Sequence, residues 1–280
     1  MRIACRLGVS LAAVVAVISC APIASDAPPR AEDCRQDRLT TLYNGVFTFG
    51  TDQPVYPPWY IGDDPTNGEG FESALAYEVA ARLGYTGEDV RWVRVPFSEA
   101  LASGPKSFDA NLSQFSITDQ RRAVVDFSAP YFDVTQAVVT VKSSPAAQAG
   151  SLADLKPLRL GAQVGTTSHT AAMSMGSANS VEVYNTNSDA KLALREGEID
   201  ALVADLPTAF AVADEVRDGV MVGQLPATTD ETEQFGIVLG KDSPLTRCVS
   251  AVVEELRADG TLAELRTTWL TDAGRAPVLT

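Results

Sequence analysis

Short runs of β-branched and aromatic residues alternate along this chain with segments in which apolar residues recur every three or four positions. That alternation is the pattern of an α/β protein whose sheets are covered by helices on both faces. Val46 to Thr51 is the first predicted strand, and Phe71, Leu75, Val79 and Leu83 then mark one face of a helix lying between Gly70 and Gly84. Val90 to Val95 reads as a strand, Phe97 to Ala102 as a short helix, and Ala110 to Phe115 as a third strand. The run Ala137 to Val141 is apolar and β-branched, and the small polar stretch SSPAAQAGS after it reads as a connection between two lobes.

A second unit repeats the alternation. Leu158 to Ala162 and Val181 to Tyr184 are predicted strands, Asp189 to Arg195 a helix ended by Gly197, and Ile199 to Asp205 an apolar strand that stops at an acid. Val164-Gly165-Thr166-Thr167-Ser168 turns into a helix with Thr or Ser at its cap, a place where free N–H groups suit a carboxylate. Phe235 to Gly240 is the predicted return to the first lobe, followed by helices over Leu245 to Ala258 and Leu262 to Leu270.

The N-terminus changes the picture of where the protein works. Arg2 and Arg6 precede the apolar run Leu7 to Ile18, and Val17-Ile18-Ser19-Cys20 reads as a lipoprotein processing box. The run is too short to span a bilayer of about 30 Å as a permanent helix, so it is a targeting signal rather than a fold element. An ordinary signal peptide with an incidental Cys20 is the competing reading. Ala21 to Asp33, rich in Ala, Pro, Ser and Asp, would then be a flexible tether. The formal net charge of −14 argues against nucleic acid and anionic lipid surfaces as partners, since both demand basic patches. Cys34 and Cys248 remain beyond Cys5 and Cys20, and an exported compartment permits them to pair or leaves two buried thiols.

The densest chemistry lies in SQFSITDQRRAVVDFS, from Ser113 to Ser128, where hydroxyls, an amide and an arginine follow an apolar strand. This stretch resembles the signature of the bacterial extracellular solute-binding proteins of family 3, the amino-acid receptors of ABC transporters. EGEIDALVAD, FGIVLGKDSPL and ADGTLAEL with its TWL end extend the resemblance over about residues 43 to 270. It implies a two-lobed periplasmic-binding-protein-like fold, each lobe a mixed sheet flanked by helices, with two crossing hinge segments. The implied organisation is a signal over 1–19, anchor and tether over 20–37, lobe 1 over 38–139, lobe 2 over 140–234, and a completion of lobe 1 over 235–280.

By the same resemblance Arg121 grips a ligand α-carboxylate and Asp205, from the other lobe, takes the α-ammonium. A free amino acid needs both: an always-charged fork for one group and an acceptor for the other. Gln114 and Ser116 would serve the ligand's main-chain groups, and Thr167 would offer an N–H. Asp52 would face the ligand side chain, with Phe97 as an aromatic wall, Tyr56 and Trp59 from an aromatic-Pro-aromatic run, and Gln163 at a variable second-lobe position. Asp205 before Pro207 could equally be a helix cap, and Arg121 beside Arg122 a solvated pair.

These residues imply a polar amino acid, glutamine or a basic one, as ligand, and permease subunits of an ABC transporter as partners. They imply membrane attachment through a lipid on Cys20, a monomer, and no cofactor or metal. The other classes are an exported dehydratase on the same fold and a ligand-sensing receptor. Against the first, a general acid is missing from the motifs: the one histidine, His169, adjoins the second-lobe turn, and there is no G-x-S-x-G elbow or Gly-rich phosphate loop.

Overall fold

The computed structural model describes residues 34–227, 232–270 and 276–280. The signal, Cys20 and the tether up to residue 33 lie outside the described residues. In chain order the first lobe contains β1 (Phe47–Thr51), α1 (Phe71–Arg82), β2 (Val90–Arg94), α2 (Phe97–Ala100), β3 (Ala110–Asn111), α3 (Asp119–Arg122) and β4 (Val125–Phe127). Next come β5 (Phe132–Val134), β6 (Gln136–Val141), α4 (Leu152–Leu155), β7 (Leu160–Gln163), α5 (Thr167–Ser174), β8 (Glu182–Tyr184), α6 (Asn187–Glu196), β9 (Ala201–Asp205), α7 (Leu206–Glu215) and β10 (Gly219–Gln224). The chain closes with β11 (Glu233–Phe235), β12 (Val238–Gly240), α8 (Thr246–Ala258) and α9 (Thr261–Trp269).

Two five-stranded mixed sheets result, one ordered β2-β1-β3-β12-β4 and the other β10-β6-β9-β7-β8, with β5 and β11 forming a separate two-stranded ribbon. The ribbon is antiparallel and pairs Glu233 with Val134 and Phe235 with Phe132, so the two crossings between lobes are bonded to each other. The lobed α/β architecture expected from the resemblance is therefore present.

Three boundaries differ from expectation. The β-branched run of β6 belongs to the second sheet, where it pairs antiparallel with β9 and β10, so the chain has already crossed before SSPAAQAGS. The first crossing is β5, not that stretch, because β6 is buried along almost its whole length as a central strand. The tail does not stay in lobe 1 to residue 280. Val278 bridges Gln224 of β10, and Ala276 and Leu279 are buried in lobe 2, which gains an apolar cover from them. The predicted strand Ala110 to Phe115 ends at Asn111, since Gln114 takes a left-handed φ of 52° that no strand tolerates.

Lobe 1 packs Phe47, Phe49, Leu75, Val79, Val249 and Val253 into one core, with α8 and α9 against α1. Cys34 pairs with Cys248 of α8 at a Cα separation of 5.3 Å, closing the N-terminal end of that core. α1 begins at Gly70, whose φ of 95° suits only glycine and whose missing Cβ would meet the Trp59 carbonyl at 2.5 Å. The aromatics Trp59, Phe71, Phe132 and Phe235 meet edge-on or stacked at 5.5 to 6.0 Å, joining this helix start to the ribbon.

Candidate ligand-binding cleft

The cleft is walled on the lobe 1 side by an irregular turn and a one-turn helix. Thr118 caps α3 by accepting the Arg121 main-chain N–H at 3.2 Å, which fixes the helix and aims Arg121 back toward the turn. Arg121 is buried; its Nη1 donates to the Ser116 carbonyl at 2.7 Å and its Nη2 to the Gly165 carbonyl of the other lobe at 3.0 Å. The guanidinium carbon lies 5.5 Å over the Phe97 ring, and Phe97 stacks on Phe115 at 4.8 Å. Burial pulls the guanidinium down to about 10, opposed by the Glu233 carboxylate, so Arg121 is charged at neutral pH.

The lobe 2 side is built from helix starts. Thr166 caps α5 by accepting the His169 N–H at 3.1 Å, and Asp205 caps α7 by accepting the Thr208 N–H at 3.0 Å. Asp205 ends the buried strand β9 and lines the cleft, so capping and cleft-facing roles coexist in one side chain. Burial raises its carboxyl to about 6 against the Thr208 bonds that lower it. Pro207, within the first turn, removes an N–H that would otherwise lack a partner.

Across the gap the lobes touch directly. Ser116 Oγ lies 3.1 Å from Thr167 Oγ1 and donates to Glu233 Oε1 at 2.5 Å, while Gln136 Nε2 donates to both Glu233 oxygens at 3.0 and 3.1 Å. At the other end Gln163 Nε2 approaches Asp52 Oδ2 at 3.5 Å. Burial raises the Asp52 carboxyl above its ordinary value, offset in part by the Gln53 N–H donating at 2.8 Å. Tyr56 also lines the cleft, and its hydroxyl accepts the Ser188 N–H of lobe 2 at 3.1 Å.

The structure thus brings Arg121, Asp205, Ser116, Gln114, Asp52, Phe97, Thr167, Tyr56 and Gln163 around one space. Trp59 is the exception. It is fully buried in the aromatic cluster, and its indole N–H reaches across to Thr208 Oγ1 at 3.0 Å, so it joins the lobes behind the cleft instead of lining it. The segment that carries it holds two cis X-Pro bonds, at Gln53-Pro54 and Pro57-Pro58. His169 is half-buried on α5 and is not among the residues around the cleft.

Sequence reasoning missed Gln136, Ser168, Asn187 and Glu233 at or beside the cleft. Ser168 Oγ donates to Gln136 Oε1 at 2.6 Å, so a strand glutamine becomes a bridge between α5 and the ribbon acid. The available signal was polarity in the wrong place: Gln136 heads an otherwise apolar strand and Glu233 precedes an apolar return.

A cation from one lobe and an acid from the other face a single cleft beside the β5–β11 ribbon, an arrangement able to hold a small solute that carries both charges. The profile of the bacterial extracellular solute-binding proteins, family 3, matches residues 47–272. The chain is 31% identical over 240 residues to the L-arginine-binding protein of Pseudomonas aeruginosa, covering 78% of this chain and 88% of that one. It is 26% identical over 274 residues to the ABC transporter glutamine-binding protein GlnH of Bacillus subtilis, covering 94% of each. Among solved structures, an ancestral arginine-binding protein bound to glutamine superposes with a TM-score of 0.69 at 30% identity, covering 82% of this chain and 100% of that one. An ancestral amino acid-binding protein described as a precursor of cyclohexadienyl dehydratase gives a TM-score of 0.67 at 29% identity, covering 80% and 95%. The chain belongs to the bacterial extracellular solute-binding proteins, family 3. The relatives matched by sequence are described as binding proteins.

Proposed function

We propose that this protein captures a polar amino acid, glutamine or a basic one, by closing its lobes on it, and delivers it to the permease of an ABC transporter. The observation that carries this is Arg121 and Asp205, opposite charges from opposite lobes, lining one cleft. The carboxylate of an amino acid would take the Arg121 guanidinium from the Gly165 carbonyl, with Ser116 and Thr167 as further donors. Its ammonium would lie against Asp205 and the main chain around Gln114. Only a closed cleft satisfies both charges, which couples binding to hinge motion at the β5–β11 ribbon.

Asp52, paired with Gln163 and near the Phe97 wall, faces the side-chain end. An acid there favours an amide or a cation over a second carboxylate. The arginine and glutamine relatives support that range, and Asp52, Asp205 and Glu233 against the single Arg121 give the cleft a net negative charge that suits a basic amino acid. Cys20 would carry the lipid that holds the protein at the membrane, and Cys34 with Cys248 would form a disulfide of an exported protein.

A thermal-shift screen of the chain from Ala21 onward, stripped of bound solute, against the proteinogenic amino acids tests this reading. A ligand bound by the native state alone raises the melting temperature. The expected result is a rise with arginine, lysine, histidine or glutamine; no rise with any amino acid would overturn the assignment.

A further inference from the structure

Behind the lobe 1 wall lies a carboxylate that the binding reading does not use. Glu72, in the first turn of α1, is fully buried. Its Oε1 accepts the Gln114 main-chain N–H at 2.8 Å, and its two oxygens also accept the Tyr131 hydroxyl and the Gln114 side-chain amide. Three donors converge on an acceptor-only group, the arrangement that stabilises an ionised carboxyl. Gln114 itself stands at a φ of 52°, a left-handed conformation that is unfavourable for a non-glycine residue and persists only when neighbours hold it.

The peptide geometry gives this anchor a consequence for the cleft. In a trans peptide the N–H and C=O point in opposite directions. Because the Gln114 N–H points at Glu72, the carbonyl of Ser113 points away from Glu72, and both Ser113 and Gln114 line the cleft. The Asp205 carboxylate across the gap also raises the Glu72 carboxyl, less than burial does. We infer that Glu72 is a positioning residue for the ligand's ammonium: it aims the Ser113 carbonyl into the cleft and, with Asp205, places negative charge on both sides of the cation. This rests on the amino-acid reading and deepens it.

Ionisation of Glu72 should therefore be felt as affinity. Burial raises its carboxyl to about 7, against the Tyr131 and Gln114 bonds, so its charge changes within the neutral range. The titratable groups around it are Tyr60 and Tyr131, both pushed well above their ordinary range by burial, and Asp205 at about 6. Between pH 5 and 9 only Glu72 and Asp205 of these change charge. Lowering the pH through this range protonates the two carboxyls, and each loss of charge should weaken the hold on an ammonium.

The test is the dissociation constant for arginine and glutamine by calorimetry from pH 5.5 to 8.5, on wild type, Glu72→Gln and Tyr131→Phe. Wild type should tighten as pH rises. Glu72→Gln, which keeps shape and one acceptor, should bind about tenfold more weakly at pH 8 and show a shallower dependence on pH. Tyr131→Phe removes a donor to the ionised form and should move the tightening to higher pH; this variant serves if Glu72→Gln does not fold. A Glu72→Gln protein with wild-type affinity and profile, or a Tyr131→Phe profile that does not move, overturns the inference and leaves the amino-acid reading intact. Wild type that binds no amino acid overturns both.

Discussion

The two walls of the cleft are made by different means. Lobe 1 offers an irregular turn, from Ser113 to Ile117, held from behind by a buried carboxylate and ended by a one-turn helix that carries Arg121. Lobe 2 offers the starts of α5 and α7, where capping side chains and free N–H groups follow from helix formation itself. Their cores differ in the same sense: lobe 1 is rich in Phe, Trp and Tyr and closed by the Cys34–Cys248 pair, whereas lobe 2 is packed mostly with Ala, Val and Leu. The lobe with the less regular wall has the more aromatic core and the cysteine pair.

Removing the cysteine pair should break this comparison most severely. The pair spans a sequence separation of 214, and the chain-entropy model makes such a closure worth roughly 5 kcal/mol. Cys34→Ala with Cys248→Ala should lower unfolding stability by about that amount in denaturant titration; an unchanged midpoint would show that the lobe 1 core holds without it. Next in size, Arg121→Ala should leave the fold intact by circular dichroism yet cost about 2 to 5 kcal/mol of ligand binding, the range for removing one partner of a buried charge pair. Unchanged affinity in calorimetry would place the anion seat elsewhere.

Asp205→Asn sharpens the other wall. The amide can still cap α7, so stability should hold, while ammonium-bearing ligands should lose about 1.5 to 3 kcal/mol, the worth of a hydrogen bond to a charged group. Equal losses for ligands lacking the ammonium would reject the role. The smallest effect is a slope. Glu72 and Asp205 both have carboxyl groups raised in the folded state, to about 7 and about 6, so the native protein holds more protons than the unfolded chain across roughly pH 4 to 7. Ligand-free stability should therefore fall as pH rises through that window, on the order of 1 kcal/mol per pH unit for each of the two groups. A bound ammonium should offset the fall, and a ligand effect that does not grow with pH would contradict the electrostatic reading.

The fold was largely legible because period-two and helical spacing survive in most elements, and because Gly70, Gly84, Gly197 and Pro207 mark helix ends in the sequence. The lobe boundary was misread because β6 is β-branched whichever sheet it joins; periodicity reports burial, not membership. The site was legible where one residue type has few other uses, as with Arg121 after SITD, and with Asp205 at the end of an apolar strand. Trp59 was misplaced because an aromatic beside prolines looks the same in a cleft and in a core. Glu72 passed unseen because an acid in the first turn of a helix is ordinary on a solvated surface; only the buried turn opposite shows what it holds.

The central claim is that opposite charges from the two lobes select a zwitterion. Calorimetry of wild-type protein with arginine, its decarboxylated amine and its Nα-acetyl derivative tests it directly. Tight binding of arginine, with both analogues weakened by tenfold or more, about 1.4 kcal/mol, is the predicted result. Analogues that bind as well as the amino acid, or an amino acid that does not bind at all, would contradict it.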